Sequence, residues 1–276
     1  MWLRLAGALV MGLAAVVSPA QAADIALFFN TAYVDTTPDS TGEAYNLQQT
    51  LVSQGHTVTT FTGITAAAIN AAVAGKTVLV IPELQNGNLS PDLDADAGLA
   101  IHIFVANGGT LIMFDPGSGD PLAALNQVFG VKTFTFQLTS GGAAAPPISL
   151  NAAGAAGTPF QGGPATLSIN ANATDTVLAS SLPDGSSIIY QDAGGNSAVT
   201  LLRIGGGNVI VMGWDWFDAQ PTGSQDGGWL AVLDTAAGIV GTSPIPTLSE
   251  WAMIAMAGLL IALGLFALRR PRPAGA

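Results

Sequence analysis

Nine residues have the types and spacing to do chemistry together. Asn30, Tyr33 and Asp35 follow a short apolar segment at 25–29, and Glu83 follows the apolar run ending at Ile81. Asp115 follows Thr110–Phe114, and Trp214, Asp215, Trp216 and Asp218 follow Val209–Met212. If those runs are parallel strands, all nine residues gather beyond their carboxyl ends, where open α/β sheets bind ligands. Carboxylates beside indole rings suit a hard cation, which takes oxygen ligands. They equally suit a saccharide, with rings covering the sugar face and acids accepting its hydroxyls. Paired carboxylates can also hydrolyse a glycosidic bond at the right separation. A plain structural role fits the same residues: the tryptophans would pack under the 221–228 loop and the acids would cap helices.

Other constellations are poorer. The chain has no cysteine, which excludes disulfides and thiolate chemistry. It has no G-x-S-x-G elbow, no P-loop and no G-x-G-x-x-G after the first strand, so phosphate cradles are missing. The two histidines, His56 and His102, fall at a strand start and inside a helix with no legible partner, and both read as structural. A histidine-based zinc site is therefore not expected. The run Asp92-Leu93-Asp94-Ala95-Asp96-Ala97-Gly98 fails calcium-loop spacing. Glycine stands seventh and Ile103 takes the twelfth place, where the loop needs a bidentate Glu. Acids at a helix start, favoured by the helix dipole, explain the run better. No cofactor is expected; a divalent cation is the one conceivable addition, without sequence support.

The elements that position these residues alternate in the first half. Strands are expected at 25–29, 56–61, 77–81 and 110–114, with helices at 43–54, 66–73 and from Ser90-Pro91 to about Ala106. Glycines at 55, 75 and 108–109 close the helices. That order predicts an α/β fold, a doubly wound, mainly parallel sheet. The second half reads as a helix at 121–129, then added short β segments at 133–138, 166–169, 187–190 and 198–203. A Gly/Ala-rich loop is expected at 140–163, a last buried strand at 209–212 and a closing helix at 229–239.

The ends of the chain carry addresses. Met1–Arg4, an apolar run at 5–17 and Ala20-Gln21-Ala22 form a secretory signal peptide over 1–22, cleaved after Ala22. Residues 23–243 are then the exported domain, and 244–276 the tail. Residues 251–268 are eighteen without a charge, spanning roughly 27 Å as a helix, enough for one transmembrane span. The arginines beyond it mark a cytoplasmic end before processing. Outside these segments only Lys76, Lys132 and Arg203 face seventeen carboxylates, a formal charge of −14. Such a surface repels phosphate backbones, so nucleic acid is excluded as a partner.

Two resemblances add to this. The tail, with Ile245, Pro246, Thr247, Leu248, Trp251, an apolar helix and Arg269 and Arg270, resembles the IPTL-CTERM sorting signal. That resemblance implies a Gram-negative cell-surface or outer-envelope protein and an exosortase-like sorting enzyme as partner, besides the membrane. The phrases Val80-Ile81-Pro82-Glu83 and Phe104-Val105-Ala106-Asn107-Gly108-Gly109-Thr110-Leu111 resemble the class I glutamine-amidotransferase-like superfamily, which has a flavodoxin-like fold. Active members carry a nucleophilic cysteine on the turn after the fourth strand and a histidine after a late strand. Here Asp115 takes the first place, and Gly213-Trp214-Asp215-Trp216 supplies no histidine. A carboxylate lacks the nucleophilicity that acyl transfer needs, so that reaction is excluded. The leading expectation is a non-catalytic, surface-displayed domain binding matrix or saccharide components such as extracellular polysaccharide. The alternatives are a carboxylate- or metal-dependent hydrolase of surface glycans and a purely structural surface protein.

Overall fold

A computed structural model describes residues 22–117, 120–130, 137–239 and 241. The signal peptide and the transmembrane helix expected at 251–268 lie outside the described residues. Among those residues no helix is long and apolar enough to cross a membrane.

The first half alternates strand and helix: β1 Asp24–Phe28, α1 Glu43–Ser53, β2 Thr57–Phe61, α2 Ala66–Val73, β3 Val78–Ile81, α3 Ala95–Ala106 and β4 Thr110–Phe114. The second half comprises α4 Asp120–Phe129, β5 Ser140–Ala143, β6 Ile148–Leu150, α5 Ala152–Ala155 and β7 Thr166–Leu167. It continues with β8 Asp175–Val177, β9 Ser187–Gln191, β10 Ser197–Ile204, β11 Gly207–Met212 and α6 Trp229–Ala237. The strands join one mixed sheet in the order β2-β1-β3-β4-β11-β10-β9-β6-β7, with β8 pairing β10 and β5. From β2 to β11 every pairing is parallel; β10 turns antiparallel onto β11, and the strands beyond it stay antiparallel.

The parallel strands are continuous apolar runs because helices cover both of their faces. Alternate residues divide cleanly between two cores. Ile25, Leu27, Val78, Val80, Ile112, Phe114, Ile210 and Met212 face one core, which includes Leu47 and Leu51 of α1 and Val232 and Leu233 of α6. Ala26, Phe28, Leu79, Ile81, Leu111, Met113, Val209 and Val211 face the other, with Ile69 of α2, Ile101 and Val105 of α3 and Leu125 of α4. Burying the same strands on both faces sets their register firmly, since a one-residue slip would exchange every side chain between the cores.

The structure departs from the sequence reading in three places. The helix expected from Ser90 begins instead at Ala95, capped by Asp94 Oδ1 accepting from Ala97 N at 2.7 Å. Ser90 is drawn elsewhere, donating its hydroxyl to Asp120 Oδ1 at 2.5 Å. The stretch 140–163 is not loop throughout, since β5, β6, α5 and a short 3-10 turn at Pro159–Gly162 lie in it. The short strand β8 has no legible pattern in the sequence. Of the segment expected at 133–138, residues 133–136 lie outside the described residues.

Candidate functional site

The carboxyl ends of β1, β3, β4 and β11 open on the same edge of the sheet. Three of the expected acids meet there: Glu83 two residues past β3, Asp115 directly after β4 and Asp215 three residues past β11. Two further acids join them. Glu43 opens α1 and is buried, and Asp175 opens β8, which is tied to the edge through its amide donating to the Gly213 carbonyl at 2.7 Å. Asp115 and Asp175 share a hydrogen bond between their carboxyl groups. Asp115 also sits at φ 46°, in the left-handed region, where a short polar side chain is tolerated best. Its Oδ1 accepts from the Gly117 amide at 3.1 Å.

Crowding acids away from water changes what they hold. Burial, reinforced by Asp215, Asp115, Glu43 and Asp175, pushes Glu83 up to about 9. Burial, with Asp215 and Asp35 nearby, pushes Glu43 up to about 8. With its amide nitrogen facing the carboxyl group, Gln85 donates to Glu43 Oε2 and Oε1 at 2.8 and 3.0 Å. Burial and the bond to Asp115 raise Asp175 to about 6, and burial also raises Asp215. Asp215 is opposed by donors that favour its charged form: the Phe217 amide at 2.7 Å and Asn172 Nδ2 at 2.5 Å. Asn172→Ala is therefore expected to move the Asp215 carboxyl titration upward, measured by carbon-detected NMR. An unmoved titration would remove Asn172 from the site. Asn172 is exposed and Asp175 half-buried, and these two open the cluster to solvent. Glu83 is half-buried with its Oε2 shut away from solvent and without a hydrogen-bond partner, and Glu43, Asp115 and Asp215 form the floor. The acids feel one another through space, but among the described residues no group of three or more His, Asp or Glu is arranged to hold a metal ion.

The other expected residues lie elsewhere or face away. Asp35 stands at the margin, close enough to act on Glu43 but engaged with the Thr37 amide and hydroxyl. Asn30 donates to the Thr62 carbonyl, and the Tyr33 hydroxyl donates to Asp92 at 2.9 Å. Asp218 accepts from Ser224 Oγ at 2.6 Å in its own loop. Trp214 and Trp216 are 1% and 0% exposed. Their rings pack edge to face at 4.9 Å, Trp216 meets Phe114 at 5.6 Å, and Trp214 stacks on Trp229 at 5.9 Å. The expectation that these indoles cover a sugar is corrected accordingly: their faces already lie against protein. The histidines are also engaged. His56 Nδ1 accepts from the Ala23 amide and its Nε2 lies 3.3 Å from Asp234, and the His102 ring packs on Phe129.

Residues 38–217 match the model of the Domain of unknown function (DUF4350), which covers more than half the chain. The chain belongs to the DUF4350 family. All five clustered acids fall within the matched residues. The DUF4350 chain also carries an IPTL-CTERM motif at 243–270. That motif marks a secreted, C-terminally sorted surface protein of Gram-negative bacteria, handled by an exosortase-type system. No curated protein matches the chain. Among solved structures, it is similar to a protein described as ThuA-like from Bacteroides uniformis. Identity is 14%, with 79% of this chain and 91% of that one covered at a TM-score of 0.50, a likeness of fold alone. It also aligns with an exo-β-1,4-mannosidase from Opitutaceae bacterium strain TAV5, at 15% identity and a TM-score of 0.43. That match covers 79% of this chain but spans only 35% of the mannosidase. A cytoplasmic protein from Salmonella typhimurium aligns at 14% identity over 73% of this chain and 88% of that one, with a TM-score of 0.45.

Proposed function

We propose that this DUF4350 chain is exported and held by its C-terminal tail, and that its α/β domain then binds a hydroxyl-rich matrix component, a saccharide, at the strand-end acids without transforming it. The observation that carries this reading is the convergence of Glu43, Glu83, Asp115, Asp175 and Asp215 at one edge of the sheet, where burial raises Glu43, Glu83, Asp175 and Asp215. At neutral pH, Glu83 at about 9 holds a proton and can donate, while Asp175 at about 6 is ionised and accepts. A neutral polyol needs both kinds of partner, and polar groups placed at a partly buried edge supply them with directional preference. Recognition would run through Asp175 and Asn172, which solvent reaches, with the unpartnered Glu83 Oε2 behind them, and not through the buried indoles. The amidotransferase nucleophile and base are both replaced, which favours binding over acyl transfer.

A carboxylate-based hydrolase is the second reading. The contact between the Asp115 and Asp175 carboxyl groups favours it, because two neighbouring carboxyl groups can divide the roles of general acid and base. One experiment separates the two. Full-length chain in detergent micelles is screened on a glycan array, and hits are titrated calorimetrically against the wild type, Glu83→Gln and Asp115→Asn. Binding without turnover, weakened at least tenfold by either change, is the expected result. Product release abolished by Asp115→Asn would establish the hydrolase instead. Absence of any glycan binding would remove the saccharide reading.

A further inference from the structure

At the opposite end of the sheet from the acids lies a groove of about 380 Å³. Val73 of α2, Lys76 before β3, Ile103 and Phe104 of α3, and Gly109 before β4 line it. Ile103 is 47% exposed on its wall, and Leu99, one helical turn earlier, is 54% exposed. Two such apolar side chains share one helix face, whereas the other described helices expose a single large apolar side chain, Val52 of α1, and such a pair wants a cover.

The last described residues of the chain lie at this groove. The Ile239 carbonyl accepts from the buried Thr110 hydroxyl at 2.9 Å. Gly241 is itself part of the groove wall, pressed so closely on the turn after α3 that a Cβ there would stand 2.2 Å from the Gly108 carbonyl oxygen and 2.6 Å from that of Gly206. The exit point is thus fixed by a buried hydrogen bond and by a position that only glycine fits. Beyond Gly241 the chain reads Thr242-Ser243-Pro244-Ile245-Pro246-Thr247-Leu248-Ser249-Glu250. Two X-Pro steps within five residues favour an extended backbone over a helix. At no more than about 3.5 Å per residue, Ile245 stays within about 14 Å of Gly241 and Leu248 within about 25 Å. The segment brings two apolar side chains and, in Glu250, one carboxylate. The groove offers apolar wall and Lys76, one of three basic residues between 23 and 243. The Lys76 ammonium donates to Thr59 Oγ1 at 2.9 Å, which leaves two of its three protons for another acceptor.

We propose that residues 242–250, which carry the Ile245–Leu248 sorting sequence, dock into this groove and shield that sequence from the sorting enzyme. Ile245 and Leu248 cover Ile103 and Phe104, and Glu250 pairs with Lys76. The folded domain then reports on itself: a chain that has folded presents a covered motif, and the sorting enzyme must displace the segment before acting. The groove contains none of the clustered acids, so docking is independent of what they bind.

The cysteine-free sequence makes the test clean. Full-length chain in detergent micelles receives Ile103→Cys together with either Ile245→Cys or Leu248→Cys. The control pairs Val52→Cys with the same tail positions, because Val52 is 51% exposed on α1, across the sheet from α3. Under mild oxidation, at least one groove pair is expected to form an intramolecular disulfide ten times faster than its control. Equal rates in all pairs overturn the proposal. So does a product linked between chains, which would assign the groove to a second copy, and so does a cross-link lost when phosphatidylcholine nanodiscs replace micelles, which would assign it to lipid. As a second measurement, Ile103→Asp is expected to speed thermolysin cleavage within 242–250 at least fivefold, with the circular dichroism spectrum unchanged. Unaltered cleavage also overturns docking.

Discussion

Raising the pH from 5 to 8.5 is expected to lower the melting temperature by roughly 6–12 °C, the reverse of ordinary acid denaturation. Glu83 at about 9, Glu43 at about 8 and Asp175 at about 6 all lie above the values these groups take in an unfolded chain. The folded state therefore keeps protons that the unfolded state has released, and stability falls wherever it binds more of them. For Glu83 and Glu43 that window opens near 4.5 and closes near 9 and 8, and for Asp175 it runs from near 3.8 to 6. Making a carboxyl group tenfold harder to ionise corresponds to about 1.4 kcal/mol, but partial solvent access to Glu83 and Asp175 screens much of it. The net loss across the range is about 3 kcal/mol. Between pH 5 and 8.5 a domain of this size moves roughly 2–4 °C per kcal/mol. Glu83→Gln supplies the internal control: a neutral amide cannot ionise, so calorimetry should find the slope cut by about half. A melting temperature that rises or stays level over this range would mean that the acids are solvated and do not form a buried cluster.

The parts of this architecture that the sequence discloses are those where a local pattern and a tertiary demand coincide. β3 and β4 are legible because burial on both faces writes an unbroken apolar run, and glycines at 55, 75 and 108 stop the preceding helices by themselves adopting positive φ. From the strand ends come Glu83, Asp115 and Asp215 as candidates. β5 reads Ser-Gly-Gly-Ala and carries no such pattern; its pairing with β8 supplies the order that its composition lacks. Because β8 is itself three residues long, nothing in the sequence assigns Asp175 to the strand-end edge. Glu43 is visible, but as an acid at a helix start, where the dipole already explains it. Only the fold turns that helix end toward Glu83. Conversely, the tryptophans resemble ligand platforms because sequence places them correctly along the chain but cannot say which way they face.

Their inward orientation sets up the second large effect. Trp216→Ala is expected to cost about 3–5 kcal/mol, the usual range for emptying a large aromatic site in a core. The residue is fully buried, its ring is edge-on to Phe114 and Trp214, and its backbone carbonyl accepts from Asn46 Nδ2 at 2.9 Å. Losing the ring also loosens the support of Asp215, the preceding residue, so glycan affinity should fall together with stability and not separately from it. Trp216→Phe discriminates further. The indole nitrogens of Trp214 and Trp216 are both buried without a hydrogen-bond partner. A buried donor left unpaired costs roughly 1–3 kcal/mol, so removing the Trp216 N–H relieves a penalty that partly offsets the lost packing. Chemical denaturation should therefore find Trp216→Phe within about 1.5 kcal/mol of the wild type, far milder than the alanine variant. If the phenylalanine variant proves as unstable as the alanine one, the N–H has a partner, and the most economical candidate would be a water reaching in from the acidic edge. In that case the tryptophans would return to the site, through their nitrogens and not their faces.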